Sequence, residues 1–295
     1  MAASCPSCGR PVALARPQCL YCGDALPGAV VEEAGRQAEA ASAEATAEPG
    51  PARGLLVLDL EGADPRAVAA ALALSAFEAA QRVRRGGWQL HRIVGAEEAA
   101  REAGRLAQAG LRVVTIPESE ARSAARPVRV SGGSWTGEDL TLRTEAGAAR
   151  GISGSLILVV RGPIAREYLT PAKVRRVRTA TLDPGYRFHL HRRDDPRPLE
   201  LDPAAFDFGM PSRTKSSLLL LSAWVEKLAA GVPVDDRFRR EPPALGPASP
   251  EAGGVVAVLG AAGDRRKEDE AVILDNLEQF RFYSAWRAGV LRRDG

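Results

Sequence analysis

The chain has little lysine. Lys173, Lys215, Lys227 and Lys267 are its only four, so 36 of its 40 basic residues are arginine. Arginine density is therefore a habit of the whole composition, and a formal net charge of +3 over 295 residues argues against a general polyanion binder. Long apolar runs are also lacking. Those at 55–60 and 156–160 are far too short to cross a bilayer. No basic-then-apolar leader precedes Cys5, which predicts a cytoplasmic, reducing location. Catalytic signatures are missing as well. GISGS at 151–155 lacks the final glycine of a nucleophile elbow, and VVAVLGAAGD at 255–264 has neither G-K-S/T nor a full G-x-G-x-x-G. The acidic pairs Asp194-Asp195 and Asp235-Asp236 lie in proline-rich turns and read as solvated loop residues. A non-catalytic protein is the expectation.

Cysteine is scarce, and its placement is the strongest signal present. All four residues fall within CPSCGRPVALARPQCLYCGD: Cys5 and Cys8 form one C-x-x-C, Cys19 and Cys22 a second, with ten residues between. Two thiolates two residues apart on one tight turn can point at one ion, and two such turns complete a tetrahedral four-sulfur shell. The glycine after each pair suits a turn whose N–H groups approach the sulfurs. In a reducing compartment this spacing predicts zinc, ahead of a rubredoxin-like iron site or a redox dithiol. The stretch resembles a small zinc ribbon with CPSCG and CLYCG as its knuckles. Such a module is either a metal-stapled knob or a contact element for protein or nucleic acid.

Composition divides the rest. Residues 1–26 are the zinc ribbon; residues 27–53, rich in Ala and Glu, read as a flexible linker. LLVLDL at 55–60 suits a buried strand. Asp64-Pro65 and the Ser75/Glu78 capping box start two helices, Gly86-Gly87 ends the second, and WQLHRIVG, EEAAREAGRLAQAG and LRVVTIP continue as strand, helix and strand. Residues 54–118 thus form a β-α-α-β-α-β unit. Residues 125–238 read as six short strands closed by a helix capped at Ser216 or Ser217, with an apolar stripe of Leu218, Leu221, Trp224, Val225 and Leu228. A linker over 239–264 and a terminal helix over 265–293 complete a multi-domain α+β chain: ribbon, α/β unit, antiparallel β domain capped by one helix, and C-terminal helix.

The run LALSAFEAAQRVRRGG…VGAEEAAREAGRLAQAGLRVVTIP resembles the C-terminal domain of the ribosomal stalk protein and the related Clp-protease adaptor fold. That resemblance implies a protein-docking module without catalysis, working through its second helix. Where the stalk family carries lysines, Phe77 and Ala80 stand here, while Arg82, Arg84 and Arg85 keep the helix end basic. Those arginines equally complement a helix C-terminus. The sheet-then-helix layout of 125–238 is similar to a pleckstrin-homology-like domain in topology alone.

Two further surfaces are candidates. Lys173, Arg175, Arg176 and Arg178 form a basic run, and Arg187, His189, His191 and Arg193 share one side of a strand whose Tyr186, Phe188 and Leu190 face the core. That side is a solvated polar face or a site for an anion or acidic peptide. His189 and His191 are also an i, i+2 pair of metal-ligand type, with no other ligand clearly placed by the sequence. The terminal helix concentrates Phe280, Phe282, Tyr283 and Trp286 in a chain only 5% aromatic, together with Ile273, Leu277 and Val290. This face packs on the chain itself, enters a partner's groove or forms a seam between copies. The reading that follows is a non-catalytic, zinc-containing adaptor or scaffold for protein partners. Its alternatives are a nucleic-acid accessory protein using ribbon and arginines, and an enzyme of unrecognised site.

Overall fold

The computed structural model describes residues 4–9, 12, 18–19, 22–34, 36, 52–122, 126–136, 139–145, 147–149, 152–171, 176–180, 185–209, 216–247 and 272–294. The chain divides into two compact units, Met1–Ala52 and Arg53–Gly295, and the fold is mixed α+β. The first unit holds the cysteine ribbon. Its helical backbone over 28–34 falls inside the stretch expected as linker. Pro27 opens this segment, and Val30 and Val31 pack with Val12 on the buried Leu26, Cys5 and Cys19. Two valines and a proline start seat about two helical turns where composition alone suggests a flexible linker that only flickers into helix.

The second unit begins with β1 (Arg53–Asp59), α1 (Pro65–Leu72), α2 (Ala76–Arg85), β2 (Trp88–Gly95), α3 (Ala96–Gln108) and β3 (Arg112–Pro117), in the order read from the sequence. Asp64 accepts from the N–H groups of Arg66 and Ala67, and Pro65 takes the first helical position. The Ser75 hydroxyl accepts from Glu78 N–H at 3.2 Å while the Glu78 carboxylate accepts from Ser75 N–H at 3.0 Å. Gly86 and Gly87, both at positive φ, end α2. At Gly87 a side chain would also run into the Arg237 guanidinium. The three strands pair antiparallel in the order β2-β1-β3. One face buries Leu58 against Val68, Ala79 and Leu106 of the helices.

Next come α4 (Glu118–Arg122), β4 (Val128–Thr136), β5 (Asp139–Thr144), β6 (Gly147–Ala149), α5 (Ile152–Ser155), β7 (Leu156–Ile164), β8 (Arg166–Pro171), β9 (Arg176–Ala180), β10 (Gly185–Arg192), β11 (Leu199–Leu201), α6 (Ser217–Leu228), β12 (Val234–Asp235), a 3-10 turn at Arg237–Arg240, β13 (Gly246–Pro247), β14 (Val272–Asp275) and α7 (Leu277–Asp294). A seven-stranded sheet runs β12-β7-β10-β11-β4-β5-β6, and a four-stranded one β13-β14-β8-β9. The larger sheet is not wholly antiparallel, because β11 pairs parallel with β4 and β12 with β7. Val159, Phe188 and Leu190 line one of its faces with Leu221, Val225 and Leu228 of α6.

The opposite face meets α7. Leu158, Val160 and Ile164 of β7 join Phe280, Tyr283, Trp286 and Val290 in a cluster that also includes Leu55, Val57 and Ile116 of the three-stranded sheet. Residues 54–118, 125–238 and the terminal helix therefore share one core, with α7 between two sheets. Each of its fully buried large side chains contributes about 1.5–3 kcal/mol. The terminal helix begins later than its apolar spacing suggests. Ile273 lies on β14, opposite Tyr168 of β8, and the Asp275 carboxylate accepts from Leu277 N–H at 3.1 Å to start the helix. Part of the expected linker is likewise pinned: the Gln279 side chain bonds Ala244 N–H at 2.8 Å and Pro242 C=O at 3.0 Å. The phosphate-loop-like stretch 255–264, Lys173 and Arg175 lie outside the described residues.

Candidate metal centre

Each C-x-x-C-G pair makes the same turn. Gly9 N–H donates to Cys5 C=O at 2.8 Å and Gly23 N–H to Cys19 C=O at 2.9 Å, with φ of +68° and +78° at the two glycines. Only glycine takes that backbone without strain. Cys19 N–H donates to Asp24 C=O at 2.9 Å, and Gln18 bridges Ala25 antiparallel, so the second knuckle sits on a tight hairpin. The two turns converge. All four sulfurs lie within 4.8 Å of one another, Cys5 Sγ is 3.7 Å from Cys22 Sγ, and Cys8 Sγ is 3.7 Å from Cys19 Sγ.

Those separations decide between the chemistries open to four cysteines. A disulfide needs about 2.05 Å between sulfurs, and none of the four cysteines forms one. A tetrahedron with metal–thiolate bonds of about 2.3 Å has edges of about 3.8 Å. The cluster matches the second figure. Cys5 and Cys19 are buried while Cys8 and Cys22 are exposed, so the shell is closed on one side and open to exchange on the other. At Cys22 the Asp24 backbone hydrogen bond favours the thiolate. Desolvation and hydrogen bonds to Cys19, Cys8 and Cys5 outweigh it and push the thiol up to about 12. A divalent cation reverses that balance, because it binds thiolates and not thiols. The four cysteines can thus hold a metal ion.

The other candidate residues do not come together as one surface. Arg187, His189 and His191 form no solvated strip: α7 covers the two imidazoles, which are 1% and 2% exposed, and Arg187 is buried beside Asp202 at 2.8 Å. Period-two alternation identifies a face of β10 but not what packs on it. Arg193 is exposed, and its N–H bonds Ser155 C=O. Arg176 begins the backbone of β9. Phe280, Tyr283 and Trp286 are core residues of their own chain, and Phe282 is half-buried beneath the Arg122 guanidinium. The helix is not a free face for a partner. On α2, Arg82 is half-buried with its guanidinium 3.2 Å from His91 Nδ1, Arg84 is exposed, and Arg85 C=O accepts from Arg240 at 2.5 Å. Arg237 and Arg239 arrive on the same short turn, paired to Glu61 and Asp236.

Beneath α7 lies a polar chain that spacing alone does not reveal. Arg281 grips Glu200 through two hydrogen bonds of 2.9 and 3.0 Å, His189 Nε2 is 3.1 Å from the same carboxylate, and the Ser284 oxygen sits 2.8 Å from His189 Nδ1 and 2.7 Å from His191 Nε2. Burial opposes ionisation of Glu200, but His189 and Arg281 hold its carboxyl well below the usual range. Burial lowers both histidines; Glu200 partly offsets this at His189, while at His191 the charges of His189 and Arg292 add to it and carry that ring further down. The protons follow. An ionised Glu200 only accepts, so His189 donates from Nε2, the Ser284 hydroxyl donates to its bare Nδ1, and His191 Nε2–H donates to Ser284. His191 Nδ1 ends the chain, buried without a partner. A second buried site ties Asp235 to Tyr283 O–H at 3.1 Å and to the Arg287 guanidinium.

Serine, histidine and carboxylate in sequence resemble a nucleophile relay, yet Ser284 is 0% exposed and its oxygen is shared by two rings. The arrangement glues helix to sheet. Among the described residues no helix is long and apolar enough to cross a membrane. Comparison with protein-family models, curated proteins and solved structures finds no match to this chain.

Proposed function

We propose that this protein is a non-catalytic adaptor whose N-terminal ribbon holds zinc and whose second unit docks a protein partner. The observation that carries the reading is the four-sulfur cluster with 3.7 Å contacts between knuckles. An all-thiolate tetrahedral shell without an open position is the structural type of zinc site, not the catalytic one. The non-catalytic part is supported by the use made of Ser284, His189 and Glu200, which are consumed in packing α7. A partner surface is supported by α2. There Phe77 is 71% exposed, one helical turn from the exposed Gln81 and two from the exposed Arg84. An exposed aromatic beside an arginine is the usual composition of an interface anchor.

Capture of partners with the full-length protein, with Phe77→Ala and with Cys5→Ser tests the reading. A protein retained by the wild type and lost with Phe77→Ala supports docking through α2. A partner set unchanged by Phe77→Ala overturns that surface, and one unchanged by Cys5→Ser confines the ribbon to a structural role. The convergence of Arg82, Arg84 and Arg85 with Arg237, Arg239 and Arg240 favours a second reading, nucleic-acid binding. Affinity for RNA or DNA that falls steeply with salt supports it, and no binding at low salt removes it.

A further inference from the structure

We propose that the cysteine cluster is also a hydroperoxide-reactive switch, whose oxidised form carries two disulfides that cross between knuckles, Cys5–Cys22 and Cys8–Cys19. The inference rests on the metal-centre reading and adds a regulation to it. The contacts between knuckles carry the connectivity, and burial assigns the roles within each pair. The sulfur contacts of 3.7 Å join Cys5 to Cys22 and Cys8 to Cys19, each time one residue from each knuckle. Each contact also pairs an exposed sulfur with a buried one, Cys22 with Cys5 and Cys8 with Cys19. The exposed member is where a hydroperoxide arrives, and the buried member is the thiol already in place to resolve the product.

The chemistry balances with a hydroperoxide as the oxidant. The exposed sulfur attacks the peroxide oxygen, the O–O bond breaks, and the sulfur becomes a sulfenic acid while the peroxide leaves as an alcohol or water. The buried sulfur then attacks the sulfenic sulfur, the S–S bond forms, and the hydroxyl leaves as water. Each bridge uses one hydroperoxide and withdraws two electrons from two sulfurs. Two bridges remove all four ligands, and the cation departs. Each contact must contract by about 1.7 Å, from 3.7 Å to the disulfide length of about 2.05 Å, a distance within reach of side-chain rotation and a small shift of each turn. The bridges are nested, because Cys8–Cys19 lies inside the loop closed by Cys5–Cys22. The side chains of Leu26, Val12, Val30 and Val31, which are not ligands, pack together beside Cys5 and Cys19. Oxidation therefore replaces a metal staple with a covalent one and leaves the ribbon compact.

The test uses full-length, zinc-loaded protein treated with tert-butyl hydroperoxide, reading free thiols, zinc release to a coloured chelator and disulfide connectivity by peptide mapping. Two equivalents should abolish all four thiols and release the zinc. Cleavage between residues 9 and 18 should leave the two halves joined, and Cys8→Ser should form Cys5–Cys22 alone with Cys19 still a thiol. Halves that separate after cleavage show bridges within knuckles and overturn the proposal. So do a Cys19–Cys22 bridge in Cys8→Ser, or thiols and zinc that persist in excess peroxide. If the untreated protein holds no zinc, the metal reading fails, and the mapping on that same protein still decides the connectivity.

Discussion

Replacing Ser284 by alanine removes one oxygen from the middle of α7, and its cost can be worked from the bonds it makes. The hydroxyl accepts from His191 Nε2 at 2.7 Å and donates to His189 Nδ1 at 2.8 Å, in a position with no solvent exposure. The two rings are 6.1 Å apart between centroids and nearly perpendicular, so they cannot bond each other once the oxygen is gone. The space vacated is smaller than a water. A buried polar group left without a partner costs about 1–3 kcal/mol, so two of them give roughly 2–4 kcal/mol after modest relaxation. For a unit of this size each kcal/mol lowers Tm by about 2–4 °C, which predicts a fall of roughly 5–15 °C. The assay is thermal and urea unfolding followed by tryptophan fluorescence, because Trp286 lies on the same helix. Ser131→Ala is the control: its hydroxyl is exposed and makes only a 3.4 Å bond to Arg143 C=O. If the two alanine variants melt together, the polar chain does not hold α7 and the reasoning fails.

The same buried chain sets an acid dependence. Folding depresses the pKa of His189 and His191, so the unfolded chain binds more protons below about pH 6.5 and stability is lost as pH falls from there. The loss should be the larger for His191, whose pKa is depressed further; His191→Gln, which keeps a donor to Ser284, should flatten it in urea unfolding at pH 7.5 and 5.5. Asp235→Asn weakens the pair with Arg287 and the bond from Tyr283 O–H, and should cost about 3 kcal/mol in denaturant unfolding, as breaking a buried ion pair does. Gly162→Ala puts a methyl against the Phe238 ring, 2.6 Å from its nearest carbon, and should destabilise by about 1–3 kcal/mol through overpacking.

Local chemistry was legible in the sequence and long-range cover was not. The Asp64 and Ser75 caps, the glycine ends of α2 and the C-x-x-C-G turns each depend on residues within four positions, and each forms as its residues imply. The order of elements from β1 to β3 follows from apolar period for the same reason. What packs on a face is a different question. Alternation along β10 separates Phe188 and Leu190 from His189 and His191 correctly, but solvent and α7 are indistinguishable from within that strand. The partner residue, Ser284, lies more than 90 positions away. The late start of α7 has a similar origin: an apolar stretch through Ile273 reads as helix until the backbone pairing with β8 and the Asp275 carboxylate are known. Glu200 and Asp235 look like ordinary acidic loop or strand residues in one dimension, and only packing against α7 makes them buried anchors.

Metal content tests the account's central claim most directly. Full-length protein purified without chelator should carry one zinc per chain by elemental analysis. Exchange for cobalt should give the strong thiolate charge-transfer and visible bands of a tetrahedral four-sulfur site, lost in Cys5→Ser or Cys19→Ser. Protein that holds no ion at neutral pH under reducing conditions, or a cobalt spectrum of six-coordinate oxygen type, would contradict it.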